Sequence, residues 1–476
     1  MGSVSTVRKI DRAYIGGTRR PVTGEVRTLL APATEMAHAT LTCAAPADAD
    51  AAVAAACAAA PGWQGLESAQ RAAFVAAMGE HLRRAAEPLA RDFAVEIGTP
   101  LAVSRGLHVD PALHVFADAP RLAVRAAAIE SIDATAVRRL PLGVAVCITP
   151  WNYPLYQIAT KIVPALVAGM TVVLKPSELA PRSLDALVEA AQAAALPPGV
   201  LNVVFGDAEI GKRLVTHPEI DVVSFTGSTA VGREVAAAAG RALKKVSLEL
   251  GGKSAGILLR DGDLPAAVRL TVAKCFQNAG QTCAALSRLL VPRKDLDAAA
   301  KLAVAAARAY RCGDPFDGET TLGPVISGAQ RDKIRAMIER AASAGAELLI
   351  GGADRPRETP HGYFIAPTII RIASAAVEVA REEVFGPVLT LLGYAHEDEA
   401  VAIANGTPYG LAAAVWSADL SHADRIARRL RAGSVSLNGA RTHPDAPFGG
   451  FGASGHGRER GVAALDAYLG TQAVHR

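Results

Sequence analysis

Two side chains near the middle of the chain have neighbours that suit covalent chemistry. Cys283 lies in the run NAGQTCA (Asn278–Ala284), among small and polar residues. A cysteine beside free backbone N–H groups can act as a nucleophilic thiolate, whereas most free cysteines are small buried hydrophobes. Glu249 is flanked by leucines and followed by two glycines in SLELGGKS. Apolar neighbours raise the pKa of a carboxylate and suit it to general-base catalysis; the alternative is an edge-strand glutamate that faces water.

Three other segments could hold an oxyanion or a phosphate. Asn152 lies between two prolines in the loop Thr149–Pro154, where a fixed side-chain N–H can stabilise an oxyanion. The run Thr226–Ser228 ends a predicted strand just before a helix, so a phosphate could bind at the helix N-terminus, although an ordinary strand-to-helix turn fits equally. Lys175–Glu178, KPSE, follows another strand end, where the lysine can reach a phosphate and the glutamate can accept from ribose hydroxyls; a solvated charged loop is the alternative.

The composition is that of a globular protein and excludes several functional classes. The 476 residues are 50% hydrophobic and 20% charged, and the net charge of +4 is not concentrated in a basic stripe, so we expect no nucleic-acid partner. The six cysteines form no CxxC pair and the eleven histidines form no HExxH motif, so we expect no metal. Apolar runs fall short of the roughly 18 residues of a membrane span, and the N-terminus lacks the apolar core of a signal peptide. We therefore expect a cytoplasmic protein without membrane contact.

Short apolar strands alternate with helices and must position these residues. This alternation predicts an α/β protein with a parallel sheet covered by helices on both faces. The predicted strands of this sheet are Val144–Ile148, Thr171–Leu174, Leu201–Val204 and Asp221–Phe225. The predicted helices are Ala69–Ile97, Lys161–Met170, Ser183–Ala195 and Val231–Leu243. Residues 254–400 repeat the alternation, which predicts a second α/β domain, and residues 122–142 fit it poorly and could form an inserted β arm.

Seven motifs, read together, resemble those of the aldehyde dehydrogenase superfamily and occur in that family's order. They are PWNYP, KPSE, FTGST, LELGGKS, GQTC, EEVFGP and PFGGFGASGHGRE. Glu249 and Cys283 are 283 − 249 = 34 positions apart, as in the family, and the resemblance extends from about Ala31 to the C-terminal region. It implies an α/β fold with a Rossmann-like cofactor domain (1–121 and 143–251), a catalytic α/β domain (252–462) and a small β oligomerisation arm (122–142 and 463–476).

The resemblance also assigns roles to individual residues. Cys283 is implied to attack the aldehyde carbonyl, with its own backbone N–H and Asn152 holding the oxyanion. Glu249 is implied to activate the water that hydrolyses the thioester, because the coenzyme-A-acylating branch lacks this glutamate, and Lys161 matches a position near that water. The implied cofactor is NAD in preference to NADP, since Glu178 would face the 2′-position of the adenosine ribose and repel a phosphate. The implied cofactor contacts are Ile148, Thr149, Pro150, Trp151, Lys175, Ser177, Glu178, Phe225, Thr226, Gly227, Ser228, Gly232, Leu250, Gly251, Glu383 and Phe385.

The substrate itself is less well determined by the sequence. Alignment with the family places six residues along the substrate tunnel, namely Tyr153, Gln157, Thr160, Thr282, Ala284 and Phe448. The small Thr160 suggests a wide channel, so we expect an apolar medium-chain or aromatic aldehyde. The loop Asn438–Pro447 could recognise a polar tail or form a solvated rim. A semialdehyde or aminoaldehyde dehydrogenase, or a catalytically silent oligomeric member of the family, is the alternative. The resemblance also implies a homodimer or homotetramer whose other partner is the small-molecule aldehyde.

Overall fold

The computed structural model describes residues 7–476, and its strands are short. They are β1 (Arg8–Ile10), β2 (Arg12–Ile15), β3 (Thr18–Pro21), β4 (Val26–Leu30), β5 (Ala37–Thr42), β6 (Glu130–Ile132), β7 (Thr135–Pro141), β8 (Val144–Ile148), β9 (Thr171–Lys175), β10 (Leu201–Val203), β11 (Val222–Thr226), β12 (Lys245–Glu249), β13 (Ala255–Leu258), β14 (Arg288–Pro292), β15 (Glu347–Ile350), β16 (Thr368–Arg371), β17 (Val388–Tyr394), β18 (Ala412–Trp416), β19 (Ser434–Leu437), β20 (Gly455–His456) and β21 (Leu469–His475).

Helices separate most of these strands along the chain. They are α1 (Pro46–Gln64), α2 (Ser68–Arg84), α3 (Ala86–Glu96), α4 (Leu101–Ser104), α5 (Asp110–Ala117), α6 (Ala119–Ala126), α7 (Pro154–Ala168), α8 (Ser183–Ala193), α9 (Ala208–Thr216), α10 (Thr229–Arg241), α11 (Leu264–Phe276), α12 (Leu296–Arg308), α13 (Gly328–Ser343), α14 (Glu378–Arg381), α15 (Glu397–Asn405) and α16 (Leu420–Ala427). Within residues 7–476, none of them is both long and apolar enough to cross a membrane.

Two large sheets organise the molecule. The first has eight strands in the order β20-β12-β11-β8-β9-β10-β2-β3, of which β8 to β12 run parallel. The second has seven strands in the order β15-β16-β17-β14-β13-β18-β19, with β15 antiparallel to its neighbour. Two three-stranded sheets, β1-β5-β4 and β21-β7-β6, complete the set. The two large sheets and the helices between their strands confirm the predicted α/β class.

The first sheet is covered by apolar side chains on both faces. Strands β8, β9 and β11 are buried along their whole length, which explains why they read as continuous apolar runs in the sequence. One face packs on a cluster that includes most of α7, and the other face packs on α1, α9 and α10. Strand β8 has the bounds predicted from the sequence. The observed bounds of β9, β10 and β11 differ from the predicted ones by one residue, at one end or at both.

Two predicted helices differ from the structure for identifiable reasons. Helix α7 begins at Pro154 rather than at Lys161, because a proline at the first helical position has a suitable φ and needs no hydrogen-bond acceptor there. It ends at Ala168, two residues before the predicted end, because the left-handed Gly169, with φ +101, terminates the helix. The single predicted helix Ala69–Ile97 consists of α2 and α3, because Ala85 between them has the non-helical angles φ −93 and ψ 9.

The segment predicted as a β arm is only partly extended. Residues 122–126 belong to α6, because Leu122, Ala123 and Ala126 are buried in the apolar cluster beside α7. From residue 130 the chain forms β6 and β7, and β21 pairs antiparallel with β7 over its full length. Strand β20, which lies within the range predicted for the catalytic domain, pairs with β12 in the first sheet instead. The domain boundaries and the oligomerising role of the arm stay predictions.

Candidate active site

Adjacent parallel strands bring five of the predicted site residues to one edge of the first sheet. Glu249 ends β12 and lies opposite Thr226, the last residue of β11. Ile148 ends β8, between Phe225 of β11 and Lys175 of β9. Ligands bind at the carboxyl ends of the strands in open parallel sheets of this kind. The sheet therefore gathers residues that are up to about a hundred positions apart in the sequence at one edge.

The loop that carries Cys283 is held in an unusual backbone conformation. Asn278, Ala279 and Gly280 all have left-handed φ angles, of 53, 53 and 75. A Cβ atom at Gly280 would overlap the carbonyl of Gly386, so this position needs glycine. Left-handed angles at two non-glycine residues cost free energy and persist only when surrounding contacts impose them. The strain therefore indicates that surrounding contacts hold this loop, and with it Cys283, in one position.

Hydrogen bonds join this loop to the segment that contains Asn152. The side-chain amide of Asn152 donates to the backbone oxygen of Gln281 at 2.9 Å, and that of Asn278 donates to the backbone oxygen of Asn152 at 2.8 Å. Asn152 is buried, and its bond to Gln281 uses one of the two N–H groups of its side-chain amide. Sequence reasoning found Asn152 but missed the supporting roles of Asn278 and Gln281. Both residues lie in the NAGQTCA run, which was the available indication of a role for them.

The environment of Cys283 favours its neutral thiol. Burial, together with the nearby carboxylates of Glu249 and Glu383, raises the pKa of this thiol to about 12, while the Arg460 guanidinium acts in the opposite direction. At neutral pH the free protein therefore holds a protonated nucleophile. Attack on a carbonyl then needs a group that accepts the thiol proton as the bond forms.

Glu249 has the properties of such an acceptor. It is buried, and both of its carboxylate oxygens lack a hydrogen-bond partner within residues 7–476. Burial raises the pKa of Glu249 well above its usual value, and the carboxylate of Glu459 raises it further. One oxygen lies so close to Gly449 that a Cβ atom there would overlap it. An unpartnered buried carboxylate is costly for stability, and in a cleft it indicates a group reserved for chemistry.

Lys161 forms a buried ion pair that the sequence did not reveal. Its ammonium group is fully buried and donates to Glu459 at 2.6 Å and to the Ser224 hydroxyl at 3.2 Å. The Thr160 hydroxyl donates to the other oxygen of Glu459 at 3.0 Å. Glu459 is the last residue of the motif PFGGFGASGHGRE, which was the available signal, but no role was predicted for it. The pair brings a second carboxylate close enough to influence Glu249.

An open groove of about 600 Å³ lies beside Trp151, Ser177 and Glu178, three of the predicted cofactor residues. Its opposite wall is β4 with the preceding Glu25. Arg27 of β4 donates to one oxygen of Glu178 at 3.2 Å, and the Lys175 ammonium lies 3.7 Å from the other. Burial lowers the pKa of Lys175. The sequence predicted Glu178 and Lys175 as cofactor contacts, but it did not indicate Arg27.

Two more parts of the predicted cofactor site meet at this sheet edge. Ser228 caps helix α10, accepting a hydrogen bond from the backbone of Val231 at 3.3 Å, so the helix N-terminus faces the strand ends. The backbone N–H of Gly227 donates to the backbone oxygen of Glu249 at 3.1 Å. Gly232 packs so closely on Leu250 that a side chain would not fit between them. The arrangement leaves the helix terminus accessible to a phosphate.

Glu383 and Phe385 approach from the second sheet's side. The Glu383 carboxylate accepts from the backbone N–H of Gly252 at 3.1 Å and lies against Gly251. Burial raises the pKa of Glu383 to about 7. Phe385, with φ +55, packs edge-on against Trp151 with the ring centres 5.6 Å apart. All the predicted cofactor residues thus lie at or beside the strand ends of the first sheet; Thr149 and Pro150 follow β8 directly.

Tyr153, Thr282 and Ala284, three of the predicted tunnel residues, lie next to Cys283. The hydroxyls of Tyr153 and Thr282 are hydrogen-bonded at 2.7 Å, and Ala284 follows the nucleophile directly. Gln157 is buried with an unpartnered side-chain oxygen. The Arg460 guanidinium stands over the Phe448 ring at 4.3 Å. The remaining predicted tunnel residue, Thr160, donates its hydroxyl hydrogen bond to Glu459.

The loop Asn438–Pro447 is anchored by one carboxylate. Asp445 lies 2.7 Å from His114 and 3.3 Å from Arg121. Its charge is therefore used within the protein, and Arg441 of the same loop is exposed. Among the residues that the structure describes, no group of three or more potential metal ligands lies close enough together to hold an ion.

Comparison with known proteins agrees with this geometry. The model of the aldehyde dehydrogenase family matches residues 21–474. The chain is 41% identical over 471 residues to 3-succinoylsemialdehyde-pyridine dehydrogenase of a Pseudomonas species, covering 98% of this chain and 99% of that protein. It is also 41% identical over 418 residues to geranial dehydrogenase of Castellaniella defragrans, covering 87% of each.

A solved structure extends the similarity to three dimensions. Aldehyde dehydrogenase C of Pseudomonas syringae was crystallised as a cysteine-to-alanine mutant in complex with NAD+ and octanal. It superposes with a TM-score of 0.96 at 41% identity, covering 98% of this chain and 96% of that one. The family model covers nearly the whole chain, and the sequence and fold similarities agree with it. The chain therefore belongs to the aldehyde dehydrogenase family.

Proposed function

We propose that the protein oxidises an aldehyde to the carboxylic acid with NAD, through a thioester on Cys283 that water hydrolyses. The observation that carries the proposal is the convergence of three groups: the cysteine on its strained loop, the Asn152 amide anchored to that loop, and the unpartnered buried carboxylate of Glu249. A nucleophile, an oxyanion donor and a base in one cleft are the parts that covalent aldehyde oxidation needs.

The reaction has two stages, the attack of Cys283 on the aldehyde and the hydrolysis of the thioester. As the Cys283 sulfur bonds to the carbonyl carbon, its proton passes to Glu249, and the oxygen of the thiohemiacetal is held by the Asn152 amide and the cysteine N–H. NAD, when bound, would supply the hydride acceptor. Glu249 passes the thiol proton on, away from the reacting groups, and then takes a proton from the water molecule that attacks the thioester. As the carbon–sulfur bond breaks and the carboxylic acid leaves, the proton held by Glu249 returns to the sulfur and regenerates the thiol. Burial raises the pKa of Glu249, which makes it a stronger base than an exposed glutamate.

The Lys161–Glu459 pair supplies a route for the proton that Glu249 collects. Glu459 influences the titration of Glu249 and is bonded to the buried ammonium at 2.6 Å. Lys161 in turn donates to Ser224, deeper in the sheet. A chain of buried donors and acceptors can pass a proton away from the reacting groups. We assign Lys161 to proton transfer and not to contact with the aldehyde.

The residues present fit NAD. The groove beside Glu178 has a carboxylate that can accept from the ribose hydroxyls, and the N-terminus of α10 can receive the pyrophosphate. Glu383 would hold the nicotinamide ribose. NADP is less favoured because its 2′-phosphate would meet the Glu178 charge. The complex of the Pseudomonas syringae relative with NAD+ supports the same cofactor.

The substrate that the tunnel supports has an apolar or aromatic body. Tyr153, Tyr156 and Phe448 provide aromatic surface near the nucleophile. Relatives named for geranial, or crystallised with octanal, agree with the expected apolar medium-chain or aromatic aldehyde. The relative named for a semialdehyde keeps that alternative open.

We also propose that the protein assembles as a homodimer or homotetramer through the sheet β21-β7-β6. Strand β6 is an exposed edge, and Ile132 on it and Ile129 before it are each 63% exposed. Exposed edge strands that carry large apolar side chains are suited to pairing with another copy. Light scattering should give a mass of two or four chains, and Ile132→Glu should lower it. A wild-type monomer would contradict this proposal.

The catalytic proposal is tested by NADH formation over a panel of aldehydes. We expect turnover with NAD, weaker turnover with NADP, and none with Cys283→Ala. The variant Cys57→Ala is the matched control, because Cys57 is a partly exposed thiol on α1, away from the strand ends. Binding of NAD without turnover of any aldehyde would support the catalytically silent alternative. Ester cleavage alone would prove little, since the same thiol could perform it without NAD.

A further inference from the structure

Arg460 places a cation without a carboxylate partner beside the candidate tunnel. Its guanidinium carbon lies 4.3 Å from the centre of the Phe448 ring and 5.5 Å from that of Tyr156. Its φ of +68 is in the left-handed region, which an arginine adopts at a cost. The antiparallel backbone pair between Phe448 and Glu459, with N···O distances of 2.8 and 2.7 Å, fixes the residue before it. The protein therefore maintains this side chain in an unfavourable backbone position.

Two of the acidic side chains near Arg460 already have cationic partners, and Glu249 lies beyond ion-pair distance of it. Glu459 is bonded to Lys161, and Asp445 is bonded to His114 and Arg121. Within residues 7–476, no carboxylate lies within 4.0 Å of a nitrogen atom of Arg460. Cation–π contacts leave the edge of a guanidinium free to donate hydrogen bonds. A charge held in this way is available to an anionic ligand.

We propose that Arg460 binds a carboxylate at the far end of the substrate, so that the preferred substrate is an aldehyde with an apolar or aromatic body and an anionic tail. The inference rests on the proposed function and refines its substrate class. Phe448 and Tyr156 would pack on the body, and the guanidinium would form a charge-assisted pair with the tail. The same charge repels aldehydes with an ammonium tail, so aminoaldehydes and quaternary ammonium aldehydes should be poor substrates.

A rival role for Arg460 is to adjust the reacting groups themselves. Its charge stabilises the anionic forms of Cys283 and Glu249, because it lowers the pKa of both. Such a role would affect every aldehyde alike, since the thiolate and the base act on the carbonyl only. Recognition of a tail would affect only substrates that carry the anion. The ratio of kcat/KM for an anionic substrate to that for a neutral one therefore distinguishes the two roles.

The first measurement uses the wild-type protein and three para-substituted benzaldehydes of similar size. These are para-formylbenzoate, its methyl ester, and para-trimethylammonio-benzaldehyde. We expect kcat/KM for the carboxylate to exceed that for the ester by about 10- to 100-fold, with the ammonium compound the poorest, and we expect added salt to narrow these ratios. Equal values for acid and ester would overturn the tail proposal while leaving aldehyde oxidation intact. The absence of turnover with all three, and with apolar aldehydes, would instead contradict the proposed function.

The second measurement uses Arg460→Met, which keeps an unbranched apolar stem and removes the charged guanidinium. We expect the acid-to-ester ratio to fall at least tenfold, mainly through KM for the acid. Arg460→Lys should give an intermediate ratio, because a lysine keeps the charge without the planar fork. Arg441→Met is the matched control, since Arg441 is an exposed arginine in the loop Asn438–Pro447. Loss of the preference in Arg441→Met, or equal losses for acid and ester in Arg460→Met, would overturn the proposal.

Discussion

The contacts of Glu178 make cofactor choice a quantitative prediction. Its carboxylate is 25% exposed and lies 3.2 Å from a nitrogen of Arg27 and 3.7 Å from the Lys175 ammonium. The change Glu178→Gln removes one negative charge and keeps the shape of the side chain. Lys175 then loses its acidic partner, and Arg27 keeps Glu25 at 2.8 Å. We expect the two cations to bind the 2′-phosphate of NADP, which the glutamate repels in the wild-type protein.

The magnitude follows from the charges. A 2′-phosphate at about 6 Å from the carboxylate, in an effective dielectric of about 20 to 40, is repelled by roughly 1.5 to 3 kcal/mol per unit charge. The phosphate carries about −1.5 to −2 charges, but the two cations neutralise much of the field of Glu178 in the wild-type protein. We therefore take a net change of about 3 kcal/mol, and each 1.4 kcal/mol or so is a factor of ten. The ratio of kcat/KM for NADP to that for NAD should rise roughly 100-fold.

The assay measures kcat/KM for both cofactors with one saturating aldehyde. We also expect KM for NAD to rise, since a charged acceptor for the ribose hydroxyls is replaced by a neutral one. Adding Arg27→Met to Glu178→Gln should remove most of the gain with NADP. The control is Glu25→Gln, because Glu25 also pairs with Arg27, at 2.8 Å, but is more exposed. An unchanged ratio in Glu178→Gln, or an equal rise in Glu25→Gln, would refute the electrostatic explanation.

Three further predictions concern the reacting groups and the loop that positions them. In Glu249→Gln, both the attack of Cys283 and the hydrolysis of the thioester lose their base, so the rate of NADH formation in a single turnover and the steady rate should each fall by roughly 10²-fold or more; an undiminished rate in either stopped-flow measurement would contradict the role of Glu249 in that step. In Glu459→Gln, loss of a neighbouring anion and exposure of the Lys161 cation both lower the pKa of Glu249, so the acid limb of the hydrolysis rate should move to lower pH by on the order of one unit. A shift of this acid limb to higher pH would contradict the expected fall in the pKa of Glu249. Gly280→Ala, with φ +75 and the Gly386 carbonyl in its path, should lower the free energy of unfolding by about 1 to 3 kcal/mol in chemical denaturation. Gly318→Ala, at an exposed position with open space, should change it by less than about 0.5 kcal/mol.

Local sequence predicted the elements that carry the site with good accuracy where one face or both faces are buried. Strand β8 was predicted with its observed bounds, and α10 begins two residues before the predicted start because Ser228 caps it. Both follow from apolar periodicity and from cap chemistry, which act over a few residues. The start of α7 was missed because Tyr156, Gln157 and Thr160 interrupt its apolar pattern, although the last two are buried.

The contacts that adjust the site join residues far apart in the chain, and no local pattern predicts them. Arg27 and Glu178 are 151 positions apart, and Lys161 and Glu459 are 298 apart. The same holds for the cation at Arg460, whose position over Phe448 depends on a backbone pair formed in the folded state. A motif shows which residue type stands at a position, but it does not show which charge lies beside it.

The sequence by itself determined the reactive residue types, their order and spacing, and the family to which they belong. It therefore predicted the nucleophile Cys283, the base Glu249 and the oxyanion donor Asn152. The tertiary structure decided how these groups titrate and what surrounds them: the Cys283 thiol is partly buried, the Glu249 carboxylate is buried without a hydrogen-bond partner among residues 7–476, and the Arg460 guanidinium stands over the Phe448 ring. The physical reason is that side-chain chemistry is a property of the residue, whereas desolvation and electrostatic interactions depend on which distant segments pack around it.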